Sequence, residues 1–173
     1  MKRDFITILH SLKSPQNVGM IVRSHVAFGG HELIFTGHQF PWNFKKGSQA
    51  FSRKLEHQTT ILHLPDPEQC VDWCQQFQYQ MIALEIAEPP VYLPHITFPK
   101  RVALIVGNEA SGLDAAFLAQ CDHIVTIPQF GPVGSLNVAV AASLAMYEFC
   151  RERTDVRRIE DHKFTKAGND TRP

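Results

Sequence analysis

Short, mainly apolar runs alternate along the chain with segments in which apolar residues recur at the helical spacing of about 3.6 residues. The runs predict strands at Phe5–Leu9, Glu32–Thr36, Thr60–Leu64, Met81–Ile86, Val102–Val106 and Ile124–Ile127. Helices are predicted from Pro15 until Gly29 ends the first one, before Thr60, from Pro67, over Leu113–Cys121, and from Ser135 to about Arg151. This alternation is typical of an α/β fold with a mostly parallel sheet and helices on both faces.

Three loops at the predicted carboxyl ends of the strands have an unusual composition. They are the turn that leads into the first helix, over Ser14–Arg23, and the segments Gly107–Leu113 and Ile127–Asn137. Ligands of open parallel sheets bind at this edge, where the loops gather. We therefore expect the functional residues in these three loops.

The length of 173 residues suits one domain, and 44% hydrophobic with 20% charged residues exclude a disordered or fibrous chain. We predict a single domain over 1–151 and a polar extension over 152–173. The four cysteines form no CxxC pair and have no histidine at zinc-ligand spacing, so we expect reduced thiols and no metal. The apolar stretch His123–Tyr147 is interrupted by proline and glycine, so we expect no membrane segment and a cytoplasmic protein.

Positive charge is concentrated in the first third of the chain, although 17 basic and 17 acidic side chains balance overall. Residues 1–60 contain eight basic and three acidic side chains, whereas 61–99 contain five acidic and no basic ones. Between Gly37 and His57, four basic side chains are interleaved with aromatic ones. The basic side chains are Lys45, Lys46, Arg53 and Lys54, and the aromatic ones are Phe40, Trp42, Phe44 and Phe51. Such a mixture suits contact with RNA phosphates and bases. The alternative is a solvated loop whose aromatic rings are tucked into the core.

Each of the three loops also has a structural reading. Gly107–Leu113 is placed like a phosphate loop but lacks the Walker Lys-Ser/Thr and the GxGxxG spacing, so it could be only a tight turn. Ser135 could cap the last helix, whereas Asn137 is better explained by a hydrogen bond outside that helix. Arg23 is either a solvated residue at a helix edge or a fork of donors for a phosphate.

Taken together, the loops resemble the SpoU (TrmH-like) family of the SPOUT methyltransferases, from about residue 5 to residue 150. The family motifs occur in order as Asn17, Gly19 and Arg23; as Gly107, Glu109, Gly112 and Leu113; and as Ile127, Pro128 and 135–139. Each motif alone would be weak, but their order and spacing are specific. Met20 and Gln129 depart from the pattern, and both concern the packing of a pocket.

The resemblance implies a fold, an activity and a partner. Family members transfer the methyl group of S-adenosylmethionine to a ribose 2′-hydroxyl of tRNA or rRNA, in a domain with a C-terminal trefoil knot. A homodimer completes each active site. By the same resemblance, the cofactor-binding residues are Leu84, Gly107, Ile127, Ser135 and Leu136.

The resemblance also implies the catalytic residues. Arg23 and Asn17 would lie at the acceptor ribose, with Arg23 binding the neighbouring phosphate, so that phosphate or water takes the hydroxyl proton. Glu109 would orient Arg23 or neighbouring backbone, and Ser135 and Asn137 would position the substrate and the loop.

Two other functions remain open at this stage. A non-catalytic knotted RNA-binding module would be expected to lose Arg23, Glu109 or Asn137, and all three are present. An unrelated nucleotide-binding enzyme would need a phosphate or dinucleotide motif that the chain lacks. Because the first motif begins at residue 17, we expect no N-terminal RNA-binding domain, which favours tRNA over rRNA as the substrate.

Overall fold

A computed structural model describes residues 4–37, 49–52 and 55–151. Its strands are β1 (Asp4–His10), β2 (Glu32–Thr36), β3 (Thr60–Leu64), β4 (Gln80–Leu84), β5 (Arg101–Val106) and β6 (His123–Val125). They form one sheet in the order β3-β2-β1-β5-β4-β6, and every pair of neighbours is parallel. The predicted fold class is therefore confirmed, while the trefoil knot stays a prediction.

Helices connect the strands. They are α1 (Pro15–Ala27), α2 (Gln49–Ser52), α3 (Pro67–Gln76), α4 (Ala115–Leu118) and α5 (Val138–Cys150), with 3₁₀ turns at Leu55–Gln58 and Leu93–His95. Ser14 and Asp66 cap α1 and α3, and each cap is followed by a proline in the first turn. These two helix starts agree with the prediction from Pro15 and Pro67.

Two helix starts were predicted too early. The side chain that caps α5 is Asn137, whose Oδ1 accepts from the amides of Ala139 and Val140, so the cap predicted for Ser135 is wrong. α4 begins only after Asp114, whose Oδ1 accepts from the amide of Phe117 and caps the helix there. A capping side chain needs a particular backbone position, and a pattern of apolar residues does not locate it.

Two strands are shorter than predicted for a related reason. β4 ends at Leu84, because the next residue, Glu85, turns its carboxylate to loop amides and its own carbonyl accepts from Thr126. β6 ends at Val125, and Thr126 instead bridges to Tyr92. The residues that follow both strands are thus used to build loops.

The core has a layer on each face of the sheet. On one face, α1 and α5 cover β1 and β5, with Phe5, Leu104 and Phe149 fully buried. On the other face, α3 and α4 cover the same strands through Cys70, Cys74 and Phe117, in agreement with the helices predicted on both faces.

The order of the strands creates a crevice between β1 and β5. From β1 the chain continues to β2 and β3 on one side, whereas β5, β4 and β6 lie on the other side. The loops that follow β1 and β5 diverge at such a point, which is where open parallel sheets bind ligands. The predicted extension 152–173 lies outside the described residues, and the single domain over 1–151 stays a prediction.

Candidate active site

A cavity of about 530 Å³ lies at the carboxyl edge of the sheet, beside the crevice. Its walls are Asn17, Leu84–Ile86, Val106–Gly112, Val125, Ile127, Gln129, Ser135–Val138 and Ala141. All three loops singled out from the sequence therefore contribute to one cavity. Its volume is within the range of roughly 300–1,000 Å³ that is usual for ligand sites.

The carboxylate of Glu109 ties the loop after β5 to the start of α1. It accepts hydrogen bonds from the amides of Lys13 (3.1 Å) and Ser14 (3.0 Å) and from Nδ2 of Asn17 (3.0 Å). Burial opposes the charge, but these three donors hold the pKa of the Glu109 carboxyl below its ordinary value. Of the two contacts expected of Glu109, the structure has the one with the backbone, and no hydrogen bond joins it to Arg23 in the described residues.

Asn17 extends this contact to the third loop. Its Oδ1 accepts a hydrogen bond of 3.0 Å from Nδ2 of Asn137, while its own Nδ2 donates to Glu109. Asn137 uses its remaining oxygen to cap α5. A series of side-chain hydrogen bonds, Glu109–Asn17–Asn137, therefore links all three motifs. The hydrogen bond predicted for Asn137 outside its helix is present.

The turn over residues 107–113 is packed against itself. A Cβ on Gly107 would lie 2.4 Å from the carbonyl carbon of Gly112, and Gly112 has a φ of +67°, which favours glycine. Asn108 pairs with Gly112 through both backbone groups and donates from its side chain to the carbonyl of Ser11 at 2.7 Å. The glycines of this motif are thus explained by close approach of the backbone.

Glu85 is a cavity residue that the sequence reasoning missed. Its Oε2 accepts from the amide of Leu113 at 2.9 Å, and its Oε1 accepts from the amide of Ile86 at 3.0 Å. A Cβ on Gly112 would lie 2.4 Å from Oε2 of Glu85. The signal was available, because an acidic residue directly after a buried parallel strand lies at the ligand-binding edge.

The loop over residues 128–136 forms the opposite side of the cavity and is open. Phe130 is 96% exposed, and a Cβ added to Gly131 or Gly134 would meet nothing within 4 Å. Gln129 lines the cavity, and its Oε1 is buried without a hydrogen-bond partner in the described part of the chain. This loop therefore offers an acceptor to a ligand.

The structure places most of the predicted site residues at this cavity. The five residues predicted to hold the cofactor all line it: Leu84, Gly107, Ile127, Ser135 and Leu136. Of the five predicted catalytic residues, the four that line it are Asn17, Glu109, Ser135 and Asn137. Lys45, Lys46, Arg53 and Lys54 lie outside the described residues.

Arg23 is the predicted catalytic residue that does not line the cavity. It is exposed on α1 and makes no hydrogen bond or ion pair with another described residue. It shares its side of α1 with the exposed Met20. α1 lies against α5, as a 2.7 Å hydrogen bond between Ser24 and Ser143 shows.

Arg23 therefore belongs to a wider exposed face of α1 and α5. α5 presents three large apolar side chains at helical spacing: Val140, Leu144 and Tyr147, all more than 40% exposed. Tyr147 also contacts the Phe28 ring at the end of α1. We call Met20, Arg23, Val140, Leu144 and Tyr147 the α1/α5 face.

The ranges that the structure covers contain neither a metal-binding cluster nor a helix that could span a membrane. No group of three or more His, Cys, Asp or Glu side chains there is arranged to hold a metal ion. The four cysteines all lie in these ranges, and none of them forms a disulfide there. In the same ranges, no helix has the length and apolar character needed to cross a membrane.

Comparisons with known proteins agree with the motifs. The profile of the SpoU rRNA Methylase family matches residues 4–147. A 23S rRNA (uridine(2479)-2′-O)-methyltransferase of Streptomyces viridochromogenes is 31% identical, over 91% of this chain and 56% of the relative. The chain thus spans little more than half the length of that relative.

Solved structures show the same likeness in three dimensions. The SpoU methyltransferase AviRb from Streptomyces viridochromogenes, in complex with the cofactor AdoMet, superimposes with a TM-score of 0.80. It is 29% identical and the match covers 91% of this chain and 61% of that one. The TrmH/SpoU tRNA modifying enzyme of A. aeolicus has a TM-score of 0.78 at 26% identity, with coverage of 88% and 76%. With the family profile matching residues 4–147, the chain belongs to the SpoU rRNA Methylase family.

Proposed function

We propose that the protein transfers a methyl group from S-adenosylmethionine to a ribose 2′-hydroxyl of RNA. The observation that carries this proposal is the series of side-chain hydrogen bonds Glu109–Asn17–Asn137, which joins all three motifs at one cavity. A module that only bound RNA would have no need to hold these three groups together. A relative named as a 23S rRNA 2′-O-methyltransferase supports the same reaction.

The cavity suits a nucleoside with a cationic side chain. Apolar walls from Leu84, Ile127 and Leu136 can cover an adenine, and the unpartnered Oε1 of Gln129 can accept from its exocyclic amine. The ionisable side chains that line the cavity are both carboxylates, Glu85 and Glu109. S-adenosylmethionine, when bound, supplies an electrophilic methyl group on a sulfonium.

The residues of the chain would serve to align the acceptor. Glu109 and Asn137 hold the amide of Asn17 from both ends, so its remaining N–H and lone pair are available in a fixed direction. Methyl transfer is an in-line displacement, which depends on such alignment. Arg23 would bind the phosphate next to the target ribose, and that phosphate or water would take the hydroxyl proton, because a guanidinium titrates too high to do so. Ser135 would position the substrate.

A homodimer would bring Arg23 to a cavity that it does not reach in its own protomer. The α1/α5 face groups exposed apolar side chains around Arg23, as an interface between identical chains requires. We therefore assign this face to the dimer interface and place Arg23 of one protomer at the cavity of its partner. Leu144→Lys should then yield a monomer in sedimentation measurements.

Mixed dimers test the position of Arg23. Coexpression of Arg23→Ala and Gly107→Ala chains gives heterodimers in which one cavity has an intact wall and receives the partner's intact Arg23. If the chains assemble at random, and the cofactor is kept well below its dissociation constant for Gly107→Ala, activity should return to about one quarter of the wild-type value, although each variant alone has little activity. An inactive mixture would place Arg23 at the cavity of its own chain.

The segment Gly37–His57, with the basic side chains Lys45, Lys46, Arg53 and Lys54, is proposed to bind RNA. The chain enters it from the carboxyl end of β2, at the same edge of the sheet as the cavity. Replacing Lys45 and Lys46 by glutamine should weaken RNA binding and reduce the slope of log affinity against log salt by about 2. Lys100→Gln, at the amino end of β5, serves as the control and should leave the slope unchanged. An unchanged slope in the double variant would mean that the segment is a solvated loop that does not bind RNA.

The substrate is proposed to be tRNA rather than rRNA, in the cytoplasm. The test is incubation with methyl-labelled S-adenosylmethionine and, separately, unmodified tRNA and rRNA, followed by digestion to nucleosides. Label in a 2′-O-methyl nucleoside from tRNA supports both the reaction and the substrate, and label only from rRNA corrects the substrate. Bound cofactor without label in either pool would favour the non-catalytic module.

A further inference from the structure

The charge of the cavity wall is one-sided. Its lining includes the carboxylates of Glu85 and Glu109, and the described lining residues contain no lysine, arginine or histidine. S-adenosylmethionine carries one positive charge more than S-adenosylhomocysteine, because the sulfonium becomes a thioether when the methyl group leaves. A wall of this kind attracts the donor more strongly than the spent product.

The two carboxylates differ in how fully they are used. Glu109 accepts from three N–H groups of Lys13, Ser14 and Asn17, which neutralise much of its field. Glu85 accepts from Leu113 and from the amide of Ile86, one on each oxygen, so each oxygen keeps a free lone pair. Glu85 is half-buried, where the charge is screened less than at the surface.

Glu85 is also held in place within the lining of the cavity. It follows β4 directly and reaches the last residues of the turn over 107–113. Gly112 approaches so closely that a Cβ there would overlap Oε2 of Glu85. Two hydrogen bonds thereby hold the carboxylate in the lining of the cavity.

On the basis of the proposed function, we infer that the Glu85 carboxylate makes the cavity select the sulfonium donor over the thioether product. In the reaction, the O–CH₃ bond forms as the C–S bond breaks, the sulfur keeps the electron pair, and the hydroxyl proton goes to phosphate or water. The positive charge that Glu85 attracts disappears from the ligand in that step. The charge of Glu85 thus favours binding before transfer and release after it.

Equilibrium binding of three ligands tests this role without turnover. The ligands are S-adenosylmethionine, S-adenosylhomocysteine and sinefungin, an unreactive analogue with a cationic amine in place of the sulfonium. Glu85→Gln should weaken the two cationic ligands about fivefold relative to S-adenosylhomocysteine, the effect of one partly exposed charge pair. Calorimetry gives all three dissociation constants.

Two further variants separate charge from structure. Glu85→Asp shortens the side chain and loses the contact with Leu113 but keeps the charge, so its ratio of product to donor dissociation constants should stay near the wild-type ratio. Glu88→Gln removes an exposed charge from the same segment, away from the cavity, and should leave all three constants unchanged.

The outcomes divide clearly. Equal weakening of all three ligands by Glu85→Gln would make Glu85 a structural brace of the turn, and unchanged constants would remove it from the site; either result overturns the inference while leaving the proposed function in place. Wild-type protein that binds none of the three ligands would instead overturn the proposed function.

Discussion

Two glycine-containing loops face each other across the cavity, and they are built in opposite ways. In the turn over 107–113, a Cβ on Gly107 would meet backbone at 2.4 Å. In the loop over 128–136, a Cβ on Gly131 would meet nothing within 4 Å, and Phe130 is 96% exposed. The first loop is shaped by its own packing, whereas the second makes few contacts with the rest of the described chain.

The difference separates two tasks of the site. The packed turn is held by Glu85, Asn108 and Glu109, so its cavity wall is formed before any ligand arrives. Within the described ranges, a side-chain hydrogen bond holds the open loop only where it ends, from Asn137 to Asn17. Preorganisation on one side limits the ordering cost of binding, while the other side can adapt to a ligand.

The largest effect is expected from breaking the packed turn. Gly107→Ala places a methyl group against the backbone of Gly112 and Leu113, which cannot retreat without moving the turn. Such overpacking costs about 1–3 kcal/mol. Cofactor affinity measured by calorimetry should fall about tenfold or more.

Gly131→Ala is the matched control for that substitution. It adds the same methyl group on the open side of the cavity, where nothing lies within 4 Å. Cofactor affinity and the free energy of unfolding should both stay near wild type. Equal losses in the two variants would contradict the contrast between the loops.

The junction of the two loops comes next in size. Asn137→Ala removes the cap of α5 and the hydrogen bond to Asn17, which should lower the free energy of unfolding by about 1–2 kcal/mol. Ser135→Ala should leave it near wild type, because the hydroxyl makes no cap. Denaturant unfolding of both variants decides the matter, and a larger loss for Ser135→Ala would contradict the assigned cap.

A smaller, pH-dependent effect is expected at Glu109. Glu109→Gln sets an amide against three N–H donors and should cost about 1 kcal/mol at neutral pH. Because folding lowers the pKa of this carboxyl from 4.5, its stabilisation is complete above that value and is lost as the pH falls through the lower folded pKa.

The measurement is the difference in the free energy of unfolding between wild type and Glu109→Gln from pH 7 to pH 3. The difference should be constant above about pH 5.5 and shrink below the ordinary pKa of 4.5. Burial lowers the pKa of His25 to about 4, but this group titrates in both proteins and cancels. A difference that grows on acidification would contradict the sign assigned to Glu109.

The smallest effect on stability is expected at the tip of the open loop. Phe130→Ala removes a ring that is 96% exposed, so the free energy of unfolding should change by less than about 0.5 kcal/mol. Thermal unfolding measures it. A loss above 1 kcal/mol would mean that the ring is packed, and the contrast with the turn would weaken.

The sequence predicted the architecture because buried parallel strands and amphipathic helices leave strong local patterns. All six strands follow from those patterns, and the starts of α1 and α3 follow from Pro15 and Pro67. The cavity residues followed from motif order rather than from periodicity. They could be predicted to lie close together because the carboxyl ends of parallel strands meet at one edge of the sheet.

The rest depends on contacts between residues far apart in the chain. The bonds Glu109–Asn17 and Asn17–Asn137 span 92 and 120 positions, and no local pattern encodes them. No local pattern encodes the contact between Glu85 and the amide of Leu113 either, because the two residues are 28 positions apart. Arg23 was expected beside Asn17 but does not line the cavity, because the two residues point from different sides of α1.

The central claim is that the cavity between the packed turn and the open loop holds the methyl donor. A crystal structure of the protein grown with S-adenosylmethionine tests it most directly. Ligand density is expected in contact with Leu84, Gly107 and Leu136, bounded by both loops. Ligand bound elsewhere on the protein, with this cavity free of it, would contradict the claim.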